Sequence, residues 1–279
     1  MRTLQLNGGG TLEFDDQGSG PAMVFLHGWS LGRDAFRKQR RELSDRYRIV
    51  VPDMRGHGRS TKFARGDGID TLASDLEKLL VELDLTDVIL VGWSMGALIA
   101  WQTVEGPQRG RIRGIVTIDM VPRVLNGNGW QHGLRAGTHL YDVDIDLSRM
   151  RDDWRAFTRA YVPMVFASGM TIERRELIDE MLELVSDNDI ESMTNLWDAL
   201  VHADFVDTVQ KIDVPTLITY GALSQIYTEE AAVWMDEHIP QSRRVRFSAS
   251  GHAPHLEEPQ RFNQTLVDFA DELEQQSND

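Results

Sequence analysis

A mostly parallel, eight-stranded α/β sheet with helices on both faces and a helical layer inserted after the sixth strand is the fold predicted for this chain of 279 residues. Three observations predict it. Short apolar runs alternate with amphipathic segments, the pattern of strands buried on both faces and of the helices that cover them. A polar hairpin stands ahead of the first run. The alternation then stops over residues 122–205 and resumes at Pro215.

Residues 3–6 and 11–15 pair across Asn7-Gly8-Gly9-Gly10, whose glycines supply the positive φ that tight turns need. The apolar runs Met23–Leu26, Ile49–Val51, Val88–Val91 and Ile115–Ile118 follow as strands. Between them, Ile69, Leu72, Leu76, Leu79, Leu80 and Leu83 recur at three- and four-residue spacing and form one helical stripe. The insertion holds Trp130, Trp154, Trp197, Met150, Met164, Met170, Met181 and Met193 in acidic, helix-favouring sequence, with Gly127, Gly129, Gly133 and Gly137 near its start. Strand Pro215–Tyr220, a helix near 228–237, strand Arg243–Phe247 and a helix from Pro259 to Glu274 complete the chain, and the polar end Gln275–Asp279 is expected to fray. The division is therefore a core of 1–121 and 206–279 with a helical layer of 122–205.

Composition excludes several functions. With 29 Lys and Arg against 44 Asp and Glu, the net charge of −15 opposes binding to nucleic acid or to an anionic membrane. There is no cysteine, hence no disulfide, thiolate nucleophile or Cys-ligated metal, and a cytoplasmic location is expected. No apolar run matches a secretion signal or the ~20 residues of a membrane span. Neither a phosphate-binding Gly-x-x-x-x-Gly-Lys motif nor a dinucleotide fingerprint is present, so no cofactor is expected. The sequence leaves the oligomeric state open.

The strongest motif is Gly92-Trp93-Ser94-Met95-Gly96, directly after Val88–Val91 and before a helix-forming stretch. In a strand–turn–helix setting, Gly-x-Ser-x-Gly forms a nucleophile elbow that lifts the Ser94 hydroxyl clear of the sheet. The Met95 N–H, at the helix N-terminus, can then serve an oxyanion. A second donor is expected from the loop after the early strand, at His27-Gly28-Trp29: the Trp29 N–H, with Gly28 allowing close backbone approach and His27 bonding loop backbone. His252, in Ser250-Gly251-His252-Ala253-Pro254-His255, stands late in the chain, as the general base does in the order Ser, acid, His. His255 is the competitor. A metal site built on this histidine pair lacks the partner residues of a zinc motif, so no metal is expected.

With Asp53–Ser60, Asp213–Gly221 and the motifs above, the chain resembles the α/β-hydrolase family, most of all its small bacterial esterases and cofactor-free haloperoxidase-like perhydrolases. The resemblance implies a triad acid three residues after the glycine that follows the seventh strand. Here that position reads Gly221-Ala222-Leu223-Ser224, and the carboxylate is missing. Asp119, ending the sixth strand, is assigned in its place because some family members carry the acid there; Glu229, Glu230 and a Ser–His pair assisted by Ser224 are the alternatives. The Asp53–Ser60 loop, with Arg55, His57 and Arg59, is expected to support the nucleophile region rather than bind phosphate.

The insertion corresponds to the family's cap, whose Trp and Met side chains line an apolar cavity above Ser94 or pack as core. Trp29, Trp93 and Tyr227 are the expected substrate contacts, and Arg123 meets a substrate carboxylate or solvent. The resulting expectation is a serine hydrolase of esters or lactones of small to medium apolar acyl compounds, acting through an acyl-enzyme. The alternative is a catalytically weak small-molecule receptor on the same scaffold, suggested by Ser224.

Overall fold

The computed structural model describes residues 1–135 and 140–276; Gly137 and the last three residues of the polar end lie outside them. Its strands are β1 (Arg2–Gln5), β2 (Thr11–Gln17), β3 (Ala22–Leu26), β4 (Arg48–Asp53), β5 (Val88–Trp93), β6 (Ile112–Ile118), β7 (Thr216–Gly221) and β8 (Ser242–Phe247). They form one sheet in the order β1-β2-β4-β3-β5-β6-β7-β8. The hairpin pairs antiparallel, β2 joins β4 antiparallel, and every later pairing is parallel. This is the predicted fold.

Burial follows position in the sheet. Every residue of β3, β5 and β7 is buried, because helices cover both faces. At the edge, β8 carries partly exposed arginines, and Arg243, Arg244 and Arg246 pair with Glu272, Asp236 and Glu229. Charged side chains on an edge strand discourage pairing with another chain.

The helices are α1 (Arg37–Leu43), α2 (Ile69–Glu82), α3 (Met95–Glu105), α4 (Leu140–Asp152), α5 (Trp154–Tyr161), α6 (Ile172–Val185), α7 (Ile190–His202), α8 (Val206–Val209), α9 (Glu229–His238), α10 (Pro254–Glu257) and α11 (Pro259–Gln276). In α2 the stripe Ile69, Leu72, Leu76, Leu79 and Leu80 is buried as expected, but so is Asp75, which takes two hydrogen bonds from Arg55 at 2.8 and 2.9 Å. The short α1 and α10 escape a periodicity search, since neither completes the repeat that would reveal it.

Between β6 and β7 lie α4 to α8, the first four of them within residues 122–205. The ends of this segment meet: Arg123 and Asp204 form an antiparallel bridge, and the Phe205 N–H donates to the Pro122 carbonyl at 2.8 Å. No helix among the described residues is long and apolar enough to cross a membrane.

Among the described residues, His27, His57 and His255 are sealed inside. Burial lowers the pKa of His27, His57 and His255 from the usual 6.5, most strongly for His57 and His255. The folded state therefore keeps them neutral, whereas the unfolded chain protonates them below about pH 6.5. Stability is expected to be full above that pH and to fall as pH drops through 6.5, by up to about 1.4 kcal/mol per pH unit for each histidine. Raised carboxyls at Asp75 and Glu257, both caused mainly by burial, oppose this at lower pH. Urea midpoints measured from pH 8 to 5.5 check the expectation; a flat profile contradicts it.

Candidate active site

Ser94 sits where β5 turns into α3, with φ 52° and ψ −119°, a conformation that costs energy for any residue with a Cβ. The flanking glycines make the turn possible. A Cβ at Gly92 would stand 2.4 Å from the Gly96 carbonyl oxygen, and one at Gly96 would stand 2.0 Å from that of Leu26. The Ser94 N–H donates to the Ile118 carbonyl at 3.1 Å, which ties the elbow to the end of β6. Met95 opens α3, so its N–H belongs to the first-turn donors that lack a partner within the helix.

The next residue after β6 is Asp119, which also has a positive φ, 42°. Its N–H donates to the Thr219 carbonyl at 2.8 Å, and the turn directs its side chain toward the loop after β8. There His252 Nδ1 lies 2.7 Å from Asp119 Oδ2, with both residues buried. Ser224 is not a substitute acid. Its hydroxyl donates to the same Oδ2 at 2.8 Å, and the Gly221 N–H reaches Oδ1 at 3.4 Å. With Nδ1 engaged by the carboxylate, Nε2 is the His252 nitrogen left for the cavity.

The other carboxylates stand elsewhere. Glu229 accepts from the Tyr220 hydroxyl at 2.9 Å and pairs with Arg246, while Glu230 is exposed. His255 is enclosed by the rings of Phe36, Trp93 and Phe262.

The loop after β3 brings Trp29 beside the elbow. Its indole Nε1 donates to the Met193 carbonyl of α7 at 3.0 Å, and its ring packs on those of Trp154, Tyr161 and Trp197. His27 is structural: Nδ1 lies 2.8 Å from the Gly28 carbonyl oxygen, and Nε2 accepts the Met54 N–H at 2.9 Å. The expected need for close approach at Gly28 is milder than predicted, since a Cβ there would make ordinary contact with Ser94 Cβ at 3.4 Å. In the Asp53–Ser60 loop, Arg55 is engaged by Asp75, His57 accepts the Ser30 N–H at 3.0 Å, and Arg59 is exposed.

Ser94, His252, Trp29, Trp93 and Tyr227 line one cavity of about 630 Å³. Trp93 and Tyr227 also frame the imidazole, with ring centroids 5.8 and 5.7 Å from it. Of the Trp and Met residues in the insertion, Met164, Met181 and Trp197 reach the cavity. Met150, Met193 and Trp154 are core, Met170 is exposed, and Trp130 packs on Trp234 at 4.9 Å. Arg123 does not line this cavity: it pairs with Asp204 at 3.7 Å.

Sequence reasoning missed the charged rim. Asp146, Arg149 and Asp152 line the cavity from α4, together with Asp153, which caps α5, and Arg135. The three-residue spacing of Asp146, Arg149 and Asp152 puts them along one helix face, but solvated faces have the same spacing, so no sequence signal separates the two.

Comparisons with known proteins give the family and the fold. A family model described as the alpha/beta hydrolase family matches residues 23–265. The AB hydrolase superfamily protein YisY of Bacillus subtilis is 29% identical over 263 residues, covering 93% of this chain and 95% of that protein. A non-heme chloroperoxidase of Kitasatospora aureofaciens is 28% identical over 267 residues, covering 92% and 94%. Among solved structures, an esterase from Exiguobacterium antarcticum superposes with a TM-score of 0.89 at 29% identity, covering 96% of this chain and 98% of that one.

Proposed function

Because the chain belongs to the α/β-hydrolase family, we propose that it is a serine hydrolase that cleaves carboxylic esters or lactones of small to medium, mostly apolar acyl compounds. One observation carries the reading: the buried 2.7 Å contact of His252 with Asp119, beside an elbow serine that opens into the same cavity. A similar fold in an esterase supports it.

Ser94 Oγ attacks the acyl carbon while His252 Nε2 takes its proton. The Met95 and Trp29 N–H groups receive the oxyanion, and Asp119 stabilises the imidazolium. Collapse of the tetrahedral intermediate passes that proton to the leaving alkoxide, leaving acyl-Ser94; in a lactone the alkoxide stays attached to the acyl group. His252 then deprotonates a water that attacks the acyl carbon, and as the second tetrahedral intermediate collapses it returns that proton to Ser94 Oγ while the acid leaves. No step calls for a cofactor or metal.

Segment 122–205 acts as the cap over a core of 1–121 and 206–279, joined through the paired ends at Arg123 and Asp204. The acyl group lies against Trp29, Trp197, Met181 and Tyr227, while the charged rim remains hydrated. The net charge of −15 supports a neutral small-molecule substrate over a polyanionic partner, and the absence of cysteine supports a cytoplasmic location. The receptor alternative rested on a missing acid, and a carboxylate 2.7 Å from His252 Nδ1 supports the hydrolase reading over it.

A panel of acyl esters and lactones, assayed with wild type and Ser94→Ala, tests the reading. Hydrolysis by wild type alone is expected; turnover by neither protein overturns it. Trp197→Ala and Met181→Ala are expected to change relative kcat/KM between acyl chains by about 1–3 kcal/mol. An unchanged substrate ranking in both variants contradicts the cap assignment.

A further inference from the structure

The loop that carries His252 is held by a carboxylate that takes no part in the steps above. Glu257, in α10, has a side chain only 4% exposed. Its Oε2 accepts the Gly251 N–H at 2.6 Å, one residue before the histidine. Its Oε1 accepts the Ala167 N–H at 3.0 Å and Arg174 Nε at 3.1 Å, both from the segment between β6 and β7.

The same stretch touches His252 directly. The Val165 carbonyl accepts the His252 N–H at 2.8 Å. Gly251 is pressed against residues 166 and 167 so closely that a Cβ there would stand 2.5 Å from the Ala167 nitrogen. Arg174 spans the junction, donating to the Ser168 carbonyl at 3.4 Å and to the Ala249 carbonyl at 3.5 Å. Hydrogen bonds to an ionised carboxylate are stronger than neutral ones, and a buried carboxylate is tolerated only when such donors surround it.

We propose that Glu257 is a positioning residue for His252, and that through Ala167 and Arg174 it makes the placement of the base depend on the seating of the inserted helical segment. This rests on the serine-hydrolase reading. A base displaced by a fraction of an ångström loses efficiency in proton transfer without losing substrate binding. The penalty is unequal between substrates. An alkyl alkoxide must be protonated as it leaves, whereas a nitrophenolate departs without help. A mere loss of folded protein lowers both rates alike.

Glu257→Gln presents an amide N–H to one of the two donor sets, so one end of the bridge opens. With wild-type levels of folded protein confirmed, kcat for an alkyl ester is expected to fall about 30- to 100-fold and for the matching nitrophenyl ester about tenfold or less, with KM within about threefold. Arg174→Met, which removes a partner from the segment side only, shifts the same ratio less, and it carries the test if Glu257→Gln does not fold. In parallel, proton NMR follows the His252 Nδ1–H bonded to Asp119, whose resonance is expected to shift or broaden in both variants.

Equal losses on the two esters, together with an unchanged imidazole resonance, overturn the proposal. Failure of wild type on every ester overturns the hydrolase reading instead, and the resonance still decides whether Glu257 places the imidazole.

Discussion

Replacing Ser94 with alanine is expected to lower kcat by about 10⁴–10⁶-fold while the fold stays in place. Alanine fits the turn at φ 52° as well as serine does, because the strain comes from the Cβ that both share. What disappears is the oxygen that forms the acyl bond in the proposed mechanism. His252→Ala is expected to cost a similar factor, since without the base Ser94 Oγ keeps its proton. The double variant is expected to be little worse than either single one, because residues that act as a unit do not contribute additively. Circular dichroism and steady-state kinetics together check this. Retained turnover in either single variant, with contamination excluded, sinks the assignment.

Asp119→Asn is expected to lower kcat by about 10²–10⁴-fold with little change in KM, whereas Ser224→Ala costs less than about tenfold. Both groups meet at one oxygen, Asp119 Oδ2, which lies 2.7 Å from His252 Nδ1 and 2.8 Å from the Ser224 hydroxyl. Asparagine can turn an N–H toward the ring, which favours the wrong tautomer, and it carries no charge to stabilise the imidazolium. Loss of the Ser224 hydroxyl removes one donor to the carboxylate and an acceptor for the Ile226 and Tyr227 N–H groups at 3.3 Å, but leaves the charge in place. Kinetics of the two variants on one ester decide the matter. The reverse order of effects contradicts Asp119 as the acid.

The parts of this molecule that were legible in the sequence are those set by short-range pattern. Continuous apolar runs revealed the buried strands, and Gly92-x-Ser94-x-Gly96 revealed the elbow because both glycines answer to main-chain contacts that no other residue could make. Asp119 was assigned on the resemblance, since Ser224 stands where the family's carboxylate is usual and some members carry the acid after the sixth strand. That Ser224 then donates to Asp119 needed the structure, because the two lie 105 positions apart in the chain. The same holds for Glu257, whose three donors come from residues 167, 174 and 251. The cavity rim on α4 was hidden for a different reason: a charged helix face has the same pattern whether it meets bulk water or a cavity mouth. The ion pair of Arg123 was out of reach of the sequence because its partner Asp204 returns from the far end of the inserted segment.

The most direct test of the account is the covalent intermediate itself. The protein is mixed with an excess of a nitrophenyl ester, quenched in acid within the first turnovers, and weighed intact and after digestion. The account predicts a mass gain equal to the acyl group, located on the peptide that contains Ser94, absent from Ser94→Ala and longer lived in Asp119→Asn. An acyl group on any other residue, or product formed at the wild-type rate by Ser94→Ala, contradicts it.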